Sequence, residues 1–373
     1  MSAAGLAVEN LSLRLGSFAL KNLALELEAG EIFVILGPNG AGKSVSLEAI
    51  AGFHPLSSGR VLIRGRDVTR LPPERRNLSL LFQDFGLFPH LTVEENVALG
   101  LRARRGMRDG HEPREKPRDL AGLLADFGVA ALARRRPEAL SPGEKQRVAL
   151  ARALASHPDL FLFDEPFSAL DTRTREELRG ELDRFLRGLG IPAVFVTHDY
   201  TDALILADRI AVMRGGELVQ SGTAADVFRR PANRFVAEFV GIENLLAGRL
   251  SGPLGELAEV EIEGQILRAS VNGLAGRAGE VWLCIRAEDV GLSLPGEGAA
   301  SPSGKLNRLA ARVVATSNLG VLSMVTLDCG FRLNAYVMTR QVGELNLVPG
   351  QTIEAGIAAE AIHLLPRPPA PPK

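Results

Sequence analysis

Apolar residues recur along this chain in two registers. In Leu6-Ala7-Val8, Leu11-Ser12-Leu13-Arg14-Leu15 and Leu23-Ala24-Leu25-Glu26-Leu27 they alternate with polar ones. That period predicts half-buried antiparallel strands. Residues 32–36, 160–163 and 193–196 are instead apolar throughout, and 78–82 is apolar but for Ser79. Such runs predict strands buried on both faces, as in a parallel sheet. Residues 44–51 read as a helix stopped by Gly52 and Pro55, 141–155 as a second with a strong start, and 228–240 as a third. Beyond 241 the helical period gives way to short strands with glycine turns, near 281–285, 311–314, 324–327, 331–337 and 352–355. This pattern predicts a small all-β barrel or sandwich. No internal repeat stands out, although the β region has room for two similar halves.

Between the strand at 31–36 and the helix at 44–51 stands Gly37-Pro38-Asn39-Gly40-Ala41-Gly42-Lys43-Ser44. Gly, four residues, then Gly-Lys-Ser is the spacing of a phosphate-cradling loop, and strand-loop-helix is the context it needs. Glycines let successive N–H groups turn inward on one anion, and the helix N-terminus adds positive partial charge. Lys43 brings a full charge to the terminal phosphates, and the Ser44 hydroxyl is a Mg²⁺ ligand.

The other buried strands deliver polar residues at their C-terminal ends, where open α/β sheets bind ligands. Residues 78–82 lead to Gln83. Residues 160–163 end in Asp164-Glu165-Pro166, where one carboxylate can hold the metal's water shell and the next can activate a water. Residues 193–196 lead to Thr197-His198-Asp199. Ser141-Pro142-Gly143-Glu144 has an N-cap, a first-turn proline and a capping-box glutamate. It is a well-made helix start, and its exposed N–H groups and hydroxyl also make an anion site. The pentapeptide from Leu140 does not decide between the two.

Composition narrows the partners. The 373 residues allow two or three domains. A net charge of −1 gives no sign of a dedicated nucleic-acid binder. The basic cluster at 102–118 is diluted by Asp109, Glu112 and Glu115 and reads as a solvated loop. Cys284 and Cys329 lie in apolar runs and read as buried thiols of a reducing compartment. The N-terminus lacks the regions of a signal peptide, and no apolar run approaches the ~20 residues of a membrane span. A soluble, cytoplasmic chain held at a membrane by another is the expectation. Residues 291–304 read as a linker, and the proline-rich end as an extended tail.

Together these residues resemble the nucleotide-binding subunit of an ABC transporter. Residues 37–44 resemble its Walker A loop, 160–165 its Walker B strand, Gln83 the Q-loop glutamine, 140–144 the signature motif, 168–171 the D-loop and His198 the switch histidine. The run 88–97 resembles the importer branch that serves maltose, iron, sulfate and molybdate, and the β region resembles its TOBE domain. Residues 311–365 in particular resemble the molybdate-binding Mop type. The resemblance implies an α/β P-loop NTPase fold at 1–240, with a helical subdomain at about 86–158. It also implies an OB-like TOBE/Mop β domain at 241–366 and a proline-rich tail at 367–373. The implied ATP contacts are Gly37, Pro38, Asn39, Gly40, Ala41, Gly42, Lys43, Ser44 and Val45, with Ser141, Gly143 and Asp171. Ser44, Gln83 and Asp164 are the implied Mg²⁺ set. Glu165 is the implied general base, aided by His198 and Gln83. The implied partners are a second copy closing over two ATP, integral-membrane permease subunits at the cytoplasmic face and, indirectly, a periplasmic or surface solute-binding protein. No nucleic acid is implied.

Three positions depart from the family pattern. Pro142 replaces a glycine and removes one N–H. Leu15 stands where an aromatic stacks on adenine, with Phe18 nearby. Ala358 and Glu360 stand where the family has the lysine and the small hydroxyl of an oxyanion site, and losing the cation while adding a carboxylate weakens such a site. A molybdate or tungstate importer ATPase is the leading reading. Sulfate, ferric iron, sugar or polyamine import remain open, as do a non-transport soluble ABC ATPase and an oxyanion-binding regulatory protein.

Overall fold

The computed structural model describes residues 5–106, 119–168, 170–251, 257–271, 279–296 and 305–367. Most of the basic cluster at 102–118, most of the linker at 291–304 and the tail beyond Arg367 lie outside them. The chain divides into two compact units, Met1–Ala224 and Ala225–Lys373.

The first unit holds β1 (Leu6–Leu15), β2 (Phe18–Leu27), β3 (Ile32–Leu36), α1 (Lys43–Ala51), β4 (Ser58–Ile63), β5 (Arg66–Asp67) and β6 (Leu78–Leu81). Then follow α2 (Val93–Gly106), α3 (Leu120–Asp126), α4 (Pro142–Ala155), β7 (Leu160–Asp164), α5 (Thr172–Leu189), β8 (Ala193–Thr197), α6 (Tyr200–Leu206), β9 (Arg209–Arg214) and β10 (Glu217–Thr223). The alternating segments form an antiparallel sheet, β2-β1-β4-β5, with a bulge in β1 at left-handed Asn10. The continuous apolar runs form the other sheet, β10-β9-β3-β8-β7-β6, parallel except for β10.

In that sheet side chains alternate between two buried faces. Phe33, Ile35, Leu162, Val194 and Val196 join Leu47 and Ile50 of α1 and the antiparallel sheet in one core. Phe161, Phe163 and Phe195 stack together, with Phe163 and Phe195 centroids 4.4 Å apart. The register pairs Leu36 with Thr197, Asp164 with Val196 and Leu81 with Phe163. Four strands therefore end level at one edge. Helices α2 and α4 pack closely because Gly100 has no side chain: a Cβ there would stand 2.3 Å from the Arg152 carbonyl.

In the second unit the reading of 228–240 as one helix is corrected. The structure has α7 (Ala224–Arg229), which begins at the unit boundary, and α8 (Arg234–Phe239). Pro231 lacks an N–H and keeps the residue before it from helical angles, while Asn233 caps the new start by accepting from the Val236 N–H at 3.0 Å.

Among the described residues ten strands follow: β11 (Asn244–Leu250), β12 (Leu257–Ile262), β13 (Gln265–Ser270), β14 (Glu280–Ile285), β15 (Val290–Ser293), β16 (Leu306–Asn318), β17 (Leu322–Asp328), β18 (Arg332–Met338), β19 (Thr352–Ala358) and β20 (His363–Pro366), with α9 (Thr339–Glu344) after β18. The linker reading is corrected at its start, since 291–293 belong to β15.

The two sheets, β13-β12-β11-β14-β20 and β15-β19-β16-β17-β18, share one core. Read from opposite ends they have the same order, with the last strand of each half exchanged. Buried asparagines mark the relation. Asn244 of β11 donates to the Ile285 and Asn334 carbonyls at 3.2 and 2.9 Å and accepts from the Asn334 N–H at 2.6 Å. Asn307 of β16 donates to the Ile357 and Arg268 carbonyls at 3.1 and 2.8 Å and accepts from the Arg268 N–H at 2.7 Å. Each half thus staples itself to the other sheet. Cys284 and Cys329 are free and buried, and burial pushes their thiols up to about 12 and about 11.

Candidate nucleotide-binding and hydrolysis site

The loop that leaves β3 curls through two left-handed glycines, Gly40 at φ 77° and Gly42 at φ 106°. Gly42 is also the cap of α1, so the helix N-terminus opens onto the loop. Two of its glycines leave no room for a side chain. A Cβ at Gly37 would lie 2.6 Å from the Met213 carbonyl oxygen, and one at Gly42 would lie 2.5 Å from Cζ of Phe18. The Phe18 ring is therefore seated against the loop. Leu15, its hairpin partner, is half-buried beside it.

Lys43 is only 6% exposed. Its ammonium donates to the Gly37 and Pro38 carbonyls at 2.9 and 3.3 Å. Burial lowers its pKa, and the nearby charges of Glu165 and Asp164 push back. The Ser44 hydroxyl donates to Asp164 Oδ1 at 3.0 Å. Burial raises the pKa of Asp164 against the effect of that bond. So Ser44 and Asp164, two of the expected metal ligands, already meet, and a buried cation stands beside them. These oxygens and the anion-ready loop fit a magnesium-bound triphosphate.

Glu165 leaves the sheet with its N–H bonded to the Val196 carbonyl at 3.0 Å. Its backbone is left-handed at φ 44°, an uncommon conformation for a residue with a side chain and one found at functional sites. Oε1 lies 3.1 Å from His198 Nδ1 and 3.8 Å from Lys43 Nζ. Its carbonyl accepts from Ser168 twice, from N–H at 3.2 Å and from Oγ at 3.0 Å. Lys43, Ser44, Asp164, Glu165 and His198 thus form one cluster at the strand ends.

The remaining expected residues lie elsewhere. Gln83 is exposed two residues past the end of β6. Ser141 caps α4: its Oγ accepts from the Glu144 N–H at 3.3 Å, and its N–H and Oγ donate to Glu144 Oε2 at 2.7 and 2.9 Å. Those bonds hold the Glu144 carboxyl below its usual range. Pro142 takes the first helical position. Gly143 faces α5, where a Cβ would meet Thr174 Cγ2 at 2.9 Å. Asp171 caps α5, accepting from the Thr174 N–H at 3.0 Å. Two further side chains border the site, one in the expected D-loop but given no role there and one missed in the sequence. Ser168 holds Glu165, and Arg175 of α5 joins the segment after His198.

The ABC transporter family model matches residues 20–168, and the TOBE domain model matches residues 283–365. The chain is 40% identical over 362 residues to the molybdate/tungstate import ATP-binding protein of Pyrococcus horikoshii, covering 97% of this chain and all of that one. It is 39% identical over 367 residues to a sulfate/thiosulfate import ATP-binding protein of Chromobacterium violaceum, covering 97% of this chain and 95% of that one. A solved dimeric ATP-binding cassette, in a post-hydrolysis state with ADP and Pi, superposes with a TM-score of 0.50 at 30% identity, covering 59% of this chain and 98% of that one. The chain belongs to the ABC transporter family, as one of its ATP-binding, ATP-hydrolysing members with a C-terminal TOBE domain.

Proposed function

We propose that this chain is the ATPase subunit of an importer and that it powers uptake of molybdate or tungstate. The observation that carries the ATPase part is the cluster of Lys43, Ser44, Asp164, Glu165 and His198 at one sheet edge. The loop amides from Gly37 to Val45 bind the phosphates, and Lys43 releases its carbonyl partners to meet the terminal ones. Ser44 and Asp164, with Gln83, hold Mg²⁺. The bound metal offsets charge that builds on the phosphoryl oxygens. Glu165 accepts the proton of the attacking water, and His198 orients Glu165 and contacts the γ-phosphate.

Two copies enclose two nucleotides, with Ser141, Gly143 and Asp171 of one facing the loop of the other. The Ser141 hydroxyl must then leave Glu144. Closure biases a two-state change in the membrane partners. The docking surface for those permease subunits is the exposed aromatic group beside Gln83. Phe53 and Phe82 lie with centroids 6.2 Å apart, and Phe88 packs edge-on against His90. A cluster of exposed rings marks a partner surface. The subunit thereby works at the cytoplasmic face of the membrane, and a solute-binding protein is reached only through the permease.

The name of the Pyrococcus relative supports molybdate or tungstate as the solute. The second unit serves this transporter as a docking element. Ala358 leaves the lysine place of the Mop pattern without a cation, and Glu360, at its small-hydroxyl place, is paired with Lys305 at 3.3 Å, so that cation is already engaged. Deleting the gene is expected to abolish radiolabelled molybdate uptake and spare sulfate uptake, and the reverse outcome transfers the assignment to sulfate. Glu165→Gln is expected to bind ATP, cease turnover and elute as a dimer with ATP. Normal hydrolysis by that variant would refute the role of Glu165.

A further inference from the structure

Three arginines of α5 reach the segment after His198: Arg187, at the far end, pairs with Asp208 at 3.1 Å and donates to the Leu206 carbonyl at 3.3 Å, and the other two form charged rungs nearer the site. Arg179 pairs with Asp202, both buried, and this inner rung holds α5 to α6. The outer rung lies at the site. Arg175 Nη1 donates to Asp199 Oδ2 at 3.0 Å, and Nη2 donates to the Leu170 carbonyl at 3.4 Å. Asp199 directly follows His198. Its other oxygen caps α6 by accepting from the Thr201 and Asp202 N–H groups at 2.7 and 3.4 Å. Leu170 directly precedes Asp171. Arg175 itself hangs from that cap, its N–H donating to the Asp171 carbonyl at 2.9 Å.

The contacts close into a ring. Glu165 is held by Ser168 on one side and meets His198 on the other. Asp199 directly follows His198, and Arg175 joins Asp199 to the Leu170 carbonyl, two positions beyond Ser168 in the sequence. A planar guanidinium can reach both at once, which an ammonium cannot do with the same geometry.

We propose that Arg175 is a positioning residue for hydrolysis: by bridging the Leu170 carbonyl and the Asp199 carboxylate it fixes His198 against Glu165. The inference rests on the roles given above to Glu165 and His198. Among the described residues the hydrogen bonds of Arg175 run to Asp199, Leu170 and Asp171 and none to the phosphate loop, so nucleotide affinity is set without it. The outer rung is partly exposed and the inner rung keeps the helices together, so its loss leaves the fold intact.

The test uses the full-length protein, with kcat and KM for ATP, binding of a fluorescent ATP analogue, and the unfolding midpoint. Arg175→Met and Asp199→Asn are each expected to lower kcat on the order of ten- to a hundredfold, the scale of a small misplacement of reacting groups. KM, analogue affinity and midpoint stay as in the parent. The double variant falls no further than the worse single one, and Arg175→Lys recovers part of kcat. Glu165→Gln is measured alongside. Turnover that survives Glu165→Gln overturns the reading of the site, and this proposal with it. With Glu165→Gln inactive, parental kcat in Arg175→Met overturns the role of Arg175 alone. So does a fall in kcat matched by weaker nucleotide binding and a lower midpoint, or multiplied losses in the double variant.

Discussion

Lys43 Nζ stands 3.8 Å from Glu165 Oε1 and donates to two carbonyls of its own loop, Gly37 and Pro38. The site therefore holds its cation in reserve on backbone oxygens beside the base. Burial lowers the pKa of this lysine, so a phosphate that arrives improves its solvation as well as its pairing. Lys43→Ala should weaken a fluorescent ATP analogue by roughly a hundredfold, taking about 1.5–3 kcal/mol for a charged hydrogen bond and tenfold per 1.4 kcal/mol. Binding within a factor of about two of the parent would show that the loop amides suffice.

The paired asparagines make a prediction about the second unit. Asn307→Ala leaves the Arg268 N–H and the Arg268 and Ile357 carbonyls without that partner in a buried place. The cost should be about 1–3 kcal/mol. Asn244→Ala should cost a similar amount, because its three bonds are the same in kind. Trp282, the only tryptophan, lies between Arg234 and Arg367 in this unit, so denaturant unfolding followed by its fluorescence reports the loss. Unequal costs would break the equivalence of the halves.

That duplication was hard to read because its anchors are so sparse. Two similar halves share little beyond an asparagine at or next to the start of a strand and an alternating apolar face, and loops of different length separate them. The short strands β11, β12, β13, β15 and β20 also escaped: β15 and β20 pair with strands far along the chain, β19 and β14, while β12 and β13 pair locally across the two-residue turn Glu263-Gly264, a hairpin signal that was overlooked. By contrast, the strand ends at Gly37, Gln83, Glu165 and His198 were legible. Each run there is apolar but for Ser79, ends abruptly and carries chemistry at its exit. Arg175 gave no signal, since α5 is lined with charges and only the fold tells which arginine reaches Asp199. The break at Pro231 was legible and outweighed by the apolar residues flanking it.

The inner rung between α5 and α6 should matter for folding more than for turnover. Burial raises the pKa of Asp202, with the charge of Arg179 opposing. Removing the guanidinium alone strands that carboxylate. Arg179→Met should therefore cost about 3–5 kcal/mol, more than an exposed pair is worth. Replacing both, as Arg179→Met with Asp202→Leu, should recover much of it. A single variant with a parental urea midpoint would mean the carboxylate is hydrated or finds another partner.

Phe18 offers a test of base recognition. Its ring is packed against Gly42, while the position where the family stacks an aromatic holds Leu15. If the ring stacks on adenine, Phe18→Ala should weaken ATP by about 1–3 kcal/mol. Tripolyphosphate, which has no base, should bind as before, and Leu15→Ala should matter little. Equal weakening of both ligands would make Phe18 a support for the loop instead.

The last prediction concerns pH. His363 of β20 bonds through Nε2 to the Pro231 carbonyl at 3.0 Å, tying down the joint between α7 and α8. Burial lowers its pKa from the ordinary value of 6.5, with the nearby Arg230 charge adding to the effect and the Pro231 bond opposing it. The folded state thus prefers the neutral ring, which donates from Nε2. The unfolded chain takes up the proton first as pH falls. The histidine's contribution is therefore complete above about pH 6.5 and is lost as pH drops through that value toward the folded pKa. Unfolding followed at Trp282 should show a midpoint that declines from pH 7.5 to pH 5.5. His363→Gln, which keeps a donor but cannot titrate, should flatten that part of the decline. An unchanged slope in the variant would assign the loss to other groups.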